Sequence, residues 1–220
     1  MNYLPCVEVQ SNPKLAVSAS VIWLHGLGAD GNDFAPLVRE LRLPDNLNVR
    51  FIFPTAPSIP VTVNNGYVMP AWYDIFELTL DRKIDVAQLR ASAEKIHALI
   101  AREIDRGVPS EKIILAGFSQ GGAVAYEAAL SYEKPLAGLL ALSTYFATTE
   151  TLAESSANKQ IPILIQHGSG DVVVDEVLGQ RAYRELSDRG YSVKYETYHM
   201  DHTVCAEQVD DIREWLLERV

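Results

Sequence analysis

The segment from Lys112 to Leu130, KIILAGFSQGGAVAYEAAL, constrains this chain more than any other. Ile113, Ile114, Leu115 and Ala116 form a short apolar run, the pattern of a strand covered on both faces, and Ala123 to Leu130 is rich in strong helix formers. Only Gly117-Phe118-Ser119-Gln120-Gly121 separates them, so strand must turn into helix abruptly. Gly-x-Ser-x-Gly in that setting describes a strained corner, in which the flanking glycines admit backbone that a Cβ would block. The corner lifts the Ser119 hydroxyl clear of the sheet. It also sets the Gln120 amide at a helix N-terminus, where free N–H groups face incoming negative charge. Gly and Ser in this pattern also recur in plain turns; the strand before and the helix after make Ser119 a candidate nucleophile. The rest of the chain then has to supply an acid and a histidine, in that order.

Length suits this reading: 220 residues accommodate one α/β domain, residues 1–220, with a substantial core and no low-complexity linker. The net charge of −10, with no Lys/Arg cluster to offset it, repels phosphate backbones, so nucleic acid is not an expected partner. The start, MNYLPCVEVQ, lacks a basic n-region, and no apolar run approaches the ~20 residues that span a bilayer. A cytoplasmic protein without an integral membrane segment is expected. Cys6 and Cys205 are too far apart for a CxxC motif and form neither a disulfide framework nor a zinc site; no metal or cofactor is expected.

Taken in order, the first buried-type strand is Val21 to Leu24, leading into HGLGADGNDF. Gly26, Gly28 and Gly31 match a dinucleotide fingerprint, which would make the protein an oxidoreductase. That alternative lacks its second element, because the next strand, Val49 to Phe53, ends in Pro54-Thr55-Ala56-Pro57 with no carboxylate for a ribose hydroxyl. In the hydrolase alternative the same glycines free a backbone amide, that of Leu27, as a second oxyanion donor beside Gln120. His25 is expected to bond its own loop. Asp33 to Leu41 has helical spacing. A stretch of about 30 residues with Pro54, Pro57, Pro60 and Pro70 lacks clear periodicity and, at that length, is expected to be functional. Its segment from Gly66 to Asp74 carries aromatic and flexible apolar groups suited to lining a site. A long helix, Val86 to about Arg106, follows, with His97 at its solvent edge.

Leu136 to Leu142 makes another buried-type strand, ending at Ser143-Thr144-Tyr145, and the short polar stretch before the Ile161 to Gln166 strand leaves no room for a large lid. That strand runs into His167-Gly168-Ser169-Gly170-Asp171, which puts Asp171 just past a strand end, where an orienting carboxylate belongs. Asp175 competes, but it directly precedes a helical stretch and fits an N-cap better. After the Val193 to Tyr198 strand come His199, which continues the strand, and His202, on a loop able to fold back over the serine; His202 is favoured. The order Ser119, Asp171, His202 is that of α/β-hydrolases.

VIWLHGLGADGNDF, PVTVNNGYVMPAWYDI, LAGFSQGGAV and MDHTVCAEQVDDI together resemble the bacterial carboxylesterases of the phospholipase/carboxylesterase family, relatives of the acyl-protein thioesterases. The resemblance implies an α/β-hydrolase fold with a mostly parallel central sheet and no large lid domain. It implies Ser119, Asp171 and His202 as catalytic triad, the Leu27 and Gln120 amides as oxyanion hole, and Trp72, Tyr145 and Val173 around the acyl group. A homodimer is also implied. Two departures, Val172-Val173-Val174-Asp175 where the family often carries proline and Tyr145 where thioesterase relatives tend to carry tryptophan, bear on acyl preference. The expectation is a serine carboxylesterase for short- to medium-chain acyl esters. The alternatives are a thioesterase or lysophospholipase for long acyl chains and a catalytically silent binding module on the same fold.

Overall fold

The computed structural model describes residues 3–220. In chain order the elements are β1 (Cys6–Gln10), β2 (Ala19–Leu24), α1 (Leu37–Glu40), β3 (Val49–Pro54), β4 (Ser58–Val61), β5 (Tyr67–Pro70), β6 (Ile75–Glu77) and β7 (Lys83–Ile84). Then follow α2 (Val86–Asp105), β8 (Ile113–Phe118), α3 (Gln120–Ser131), β9 (Gly138–Leu142), β10 (Pro162–Gly168), α4 (Glu176–Asp188), β11 (Ser192–Tyr198) and α5 (Ala206–Leu217). Seven strands make the main sheet in the order β1-β3-β2-β8-β9-β10-β11, parallel throughout except for β1, which pairs antiparallel with β3.

The strands β2, β3 and β9 are buried along their whole length, and β8 up to Phe118, because helices cover both faces. Leu89, Ile96 and Ile100 of α2, with Leu178 and Leu186 of α4, pack around α3 on one face, and Val38 of α1 with Val209, Ile212 and Trp215 of α5 cover the other. Helix α3 lies so deep that every residue from Gln120 to Leu130 is buried, which explains its run of small and apolar residues rather than a striped pattern. At the opposite, N-terminal edge of the sheet, the buried Glu103 accepts hydrogen bonds from Ser20 Oγ (2.8 Å), Arg50 (2.7 Å) and Arg106 (2.8 Å). A carboxylate removed from water needs that many donors.

Three elements differ from what periodicity predicts. The helix expected over 33–41 shrinks to the single turn Leu37–Glu40: Pro36 holds the N-cap position and biases Ala35 away from helical backbone, so turns fill the preceding stretch. The proline-rich stretch folds as two hairpins, β4 with β5 and β6 with β7. Asp74 anchors them, its carboxylate accepting from the Thr62 N–H and hydroxyl (2.7 and 2.6 Å) while its own N–H donates to Gln88 of α2 (2.8 Å). Strand β1, absent from the expected set, is an edge strand with alternating burial and too short an apolar run to announce itself.

At the β8–α3 corner, Ser119 has φ +52° and ψ −121°. The helix can start there only because Gly121 presses against β2: a Cβ on it would lie 2.5 Å from the His25 carbonyl oxygen and 2.7 Å from that of Leu24. Gly121→Ala should therefore force backbone apart and destabilise the fold by about 1–3 kcal/mol. Thermal unfolding followed by circular dichroism should show a drop of roughly 2–4 °C per kcal/mol for a chain of this size. An unchanged melting temperature would contradict the close approach.

Candidate active site

Because β2, β8, β9, β10 and β11 run parallel, their C-terminal ends open on one edge of the sheet, and each candidate group sits in a loop at that edge. The Ser119 N–H donates to the Leu142 carbonyl of β9 (2.9 Å), and the Ser119 carbonyl accepts from Thr144 Oγ1 (2.6 Å) and the Gly122 N–H (3.0 Å). Strand β9 and its following loop thus hold the positive-φ residue from one side. From the other side comes the loop after β2, so close that a Cβ on Gly26 would lie 3.5 Å from Ser119 Cβ.

That loop is braced from beneath. His25 Nδ1 donates to the Gly26 carbonyl (2.7 Å) and its Nε2 accepts from the Ala56 N–H (3.0 Å), the backbone role expected of it. Burial lowers its pKa, against smaller opposing effects of the Gly26 bond and of Asp33 and Asp30, which suits a neutral ring accepting at Nε2. Trp72, one of the residues implied at the acyl group, is only 2% exposed. Its indole N–H donates to the His25 carbonyl (2.9 Å) and its ring lies 5.0 Å from the His25 ring, so it supports the loop from below. Gly28, with φ +79°, donates its N–H to the Pro70 carbonyl at the end of β5 (2.9 Å). Among the described residues, the N–H groups of Leu27 and Gln120 have no acceptor in the chain.

Asp171 and His202 reach each other because their loops are laced together: Ser169 N–H donates to the Tyr198 carbonyl (2.9 Å) and Gly170 N–H to the Met200 carbonyl (3.0 Å). His202 Nδ1 lies 2.6 Å from Asp171 Oδ2, and Oδ1 accepts from the Val173 and Val174 N–H groups at 2.9 and 2.8 Å. Burial by itself would raise the pKa of this carboxyl; the His202 bond and the two N–H donors outweigh it, so the net shift is downward and Asp171 stays ionised. The His202 ring also packs on Phe118, the residue before the serine, at 4.7 Å between centroids. His199 is exposed, and Asp175 caps α4 by accepting from the Val177 N–H (2.9 Å). His167 sits inside β10, its Nε2 donating to the Val174 carbonyl (2.8 Å), and burial pushes its pKa down.

Tyr145 follows Thr144, and its hydroxyl lies 2.6 Å from that of the buried Tyr73. Val173 is about half exposed beside Asp171. Three side chains at this edge escaped the sequence analysis. Gln120 Oε1 accepts from the Trp72 N–H (2.9 Å) and its Nε2 donates to the Tyr73 carbonyl (2.7 Å), pinning the proline-rich segment to the elbow. The Thr144 hydroxyl fixes the Ser119 carbonyl, and Arg82 lies over Tyr145. The fourth position of the Gly-Phe-Ser-Gln-Gly motif was the one available hint; contacts of the other two join residues 63 and 25 positions or more apart and leave no local pattern. Among the described residues, no group of three or more His, Cys, Asp or Glu could hold a metal ion, and both cysteines are free.

This arrangement can be set beside known proteins. Acyl-protein thioesterase 1 of Neurospora crassa is 42% identical over 214 residues, covering 92% of this chain and 87% of its own, and the protein of that name from Cryptococcus neoformans is 36% identical over 232 residues, covering 96% of both. Both are fungal, so the bacterial part of the expected resemblance finds no support in them. The crystal structure of Zea mays acyl-protein thioesterase 2 superposes with a TM-score of 0.85 at 30% identity, covering 99% of both chains. A Bacillus cereus carboxylesterase, 16% identical with a TM-score of 0.77, shares the fold. The sheet order, the flanking helices and these neighbours define an α/β-hydrolase fold without a large lid domain. The profile of the phospholipase/carboxylesterase family matches residues 4–218, and the chain therefore belongs to that family of carboxylic ester hydrolases.

Proposed function

We propose that this chain cleaves acyl thioesters, and oxygen esters alongside them, with Ser119 as nucleophile, His202 as its base and Asp171 as the orienting carboxylate. The observation that carries the proposal is the 2.6 Å Asp171–His202 contact, with the imidazole packed at a tilt against Phe118, next to a serine at positive φ. With Nδ1 donating to Asp171, the lone pair of the neutral ring falls on Nε2, the nitrogen that takes the Ser119 proton as its hydroxyl attacks the acyl carbonyl. The uncommitted N–H groups of Leu27 and Gln120 receive the oxyanion. His202 returns the proton to the departing thiol or alcohol, and water then hydrolyses the acyl-enzyme by the same relay.

Tyr145 by itself argues for a short- to medium-chain oxygen esterase. Relatives 36–42% identical over nearly the whole chain are named acyl-protein thioesterases, and that supports the thioester reading more strongly. Exposed apolar side chains favour it too: Val172 and Val173 directly follow Asp171, and Phe76, Leu78 and Leu80 lie in the segment whose Arg82 donates to the Val173 carbonyl.

Ser119→Ala should lower kcat by about 10⁶, as loss of a triad nucleophile does. A fluorophosphonate probe should label wild-type protein at Ser119 and leave the variant unlabelled. Retention of more than about a hundredth of the activity would place the nucleophile elsewhere.

Asp171→Asn should cost about 10⁴ in kcat by favouring the wrong imidazole tautomer. Asp175→Asn should alter stability at the start of α4 and leave turnover near wild type, and His202→Ala should be far more damaging than His199→Ala. Steady-state kinetics on a matched acyl thioester and p-nitrophenyl ester decides both the residue roles and the substrate preference. A clear preference for the oxygen ester would return the protein to the carboxylesterase reading.

A further inference from the structure

The two N–H groups proposed to receive the oxyanion belong to different elements, Leu27 to the loop after β2 and Gln120 to the first turn of α3. The β2–β8 ladder ends at the Leu24–Gly117 pair, and among the described residues no hydrogen bond runs directly from residues 26–31 to residues 119–122. A third segment, Pro70 to Tyr73, joins them. On one side it grips the loop on both flanks of Leu27: the Pro70 carbonyl accepts from the Gly28 N–H (2.9 Å), and the Trp72 indole N–H donates to the His25 carbonyl (2.9 Å). On the other side it grips the Gln120 side chain twice, the Trp72 N–H donating to Oε1 (2.9 Å) and the Tyr73 carbonyl accepting from Nε2 (2.7 Å). Ser92 Oγ of α2 donates to the Trp72 carbonyl (2.5 Å), which ties this spacer to the helix layer. Gln120, Trp72, Tyr73 and His25 are all buried.

We propose that the Gln120 side chain and Trp72 are positioning residues that set the separation of the Leu27 and Gln120 N–H groups. This inference rests on the hydrolase reading above and adds the residues that preset its oxyanion hole. Packing already stops the two elements from closing: a Cβ on Gly121 would lie 2.5 Å from the His25 carbonyl oxygen, so backbone meets backbone there. The bridge through Trp72 resists opening. Full negative charge on the acyl oxygen develops only in the transition state, so the donors have to stand at its position beforehand, and a misplacement of about 1 Å costs up to ~10²-fold in rate. An amide side chain suits the task because it offers one acceptor and one donor in a fixed plane, and here both are used. A thioether of similar length keeps the volume and loses both bonds. Since every group in the bridge is buried, a broken bond leaves its partner unpaired rather than solvated, and the spacer shifts to relieve it.

The experiment compares wild type with Gln120→Met, Trp72→Phe and the double variant. Ile100→Val, a core change about two turns along α2 from Ser92, is the control for lost stability. Each protein is assayed on a p-nitrophenyl ester and the matched acyl thioester, and titrated with two ketones of the same chain length. The trifluoromethyl ketone reports the hole: Ser119 Oγ adds to its carbonyl carbon, the serine proton passes to His202, and the carbonyl oxygen stays as an anion. The methyl ketone binds without adding. Gln120→Met and Trp72→Phe should each lower kcat by about 10–100-fold with KM within about twofold, and weaken the trifluoromethyl ketone by the same factor while sparing the methyl ketone. The double variant should lose little more than the worse single, because either change releases the same spacer. Ile100→Val should keep wild-type kinetics. If Gln120→Met fails to fold, Gln120→Glu, which keeps an acceptor for the Trp72 N–H, takes its place in the same readings. Folded variants with wild-type kcat and trifluoromethyl ketone affinity, losses shared by KM and both ketones, or single losses that multiply in the double variant would overturn the bridge and leave the hydrolase reading intact. Wild-type protein that hydrolyses neither substrate overturns both.

Discussion

A serine held at φ +52° is a conformation that costs of order 1–3 kcal/mol, and the surrounding structure has to over-determine it. It does so through backbone. The Ser119 N–H and carbonyl are both engaged by the strand and loop of β9, while Gly121 brings α3 to within a Cβ's width of the β2 carbonyls. Since β8 is the central strand, with β2 on one side and β9 on the other, the corner is clamped from both neighbours at once.

The clamp also positions the uncommitted N–H groups proposed to receive the oxyanion. The Gln120 amide points outward because α3 begins there, and its side chain ties the corner to Trp72 and Tyr73. Trp72 in turn carries the His25 loop, and the Gly28 bond to Pro70 returns to the same proline-rich segment. The hairpins over residues 58–84 thus serve as a buttress whose inner residues are buried and whose outer residues, Tyr67, Val68, Phe76, Leu78 and Leu80, remain exposed and apolar.

Charge is distributed between the two edges of the sheet according to its use. At the N-terminal edge Glu103 is wholly buried and saturated by Ser20, Arg50 and Arg106, leaving it no room to act. At the C-terminal edge Asp171 is equally enclosed, but one of its oxygens faces an imidazole that keeps some exposure to solvent. Two N–H donors hold the carboxylate ionised without neutralising it, so its charge remains available to His202.

Much of this was legible in the residues alone. A buried strand, a Gly-x-Ser-x-Gly corner and a helix are contiguous, so local sterics announce Ser119; Asp171 and His202 follow as the polar residues just past strand ends, and Asp175 betrays itself as a cap by the helix it precedes. Those features depend on neighbours within a few positions. What only tertiary structure decided is everything that depends on strands meeting across the sheet: that α1 keeps a single turn, that β1 exists, and that Trp72 sits beneath the His25 loop. Its contacts also assign Gln120, Thr144 and Arg82 their partners across sequence gaps of 25 to 91 residues. Such contacts have no periodicity, because hydrogen bonds between loops are set by the register and twist of the sheet that carries them, not by the spacing of residues along the chain.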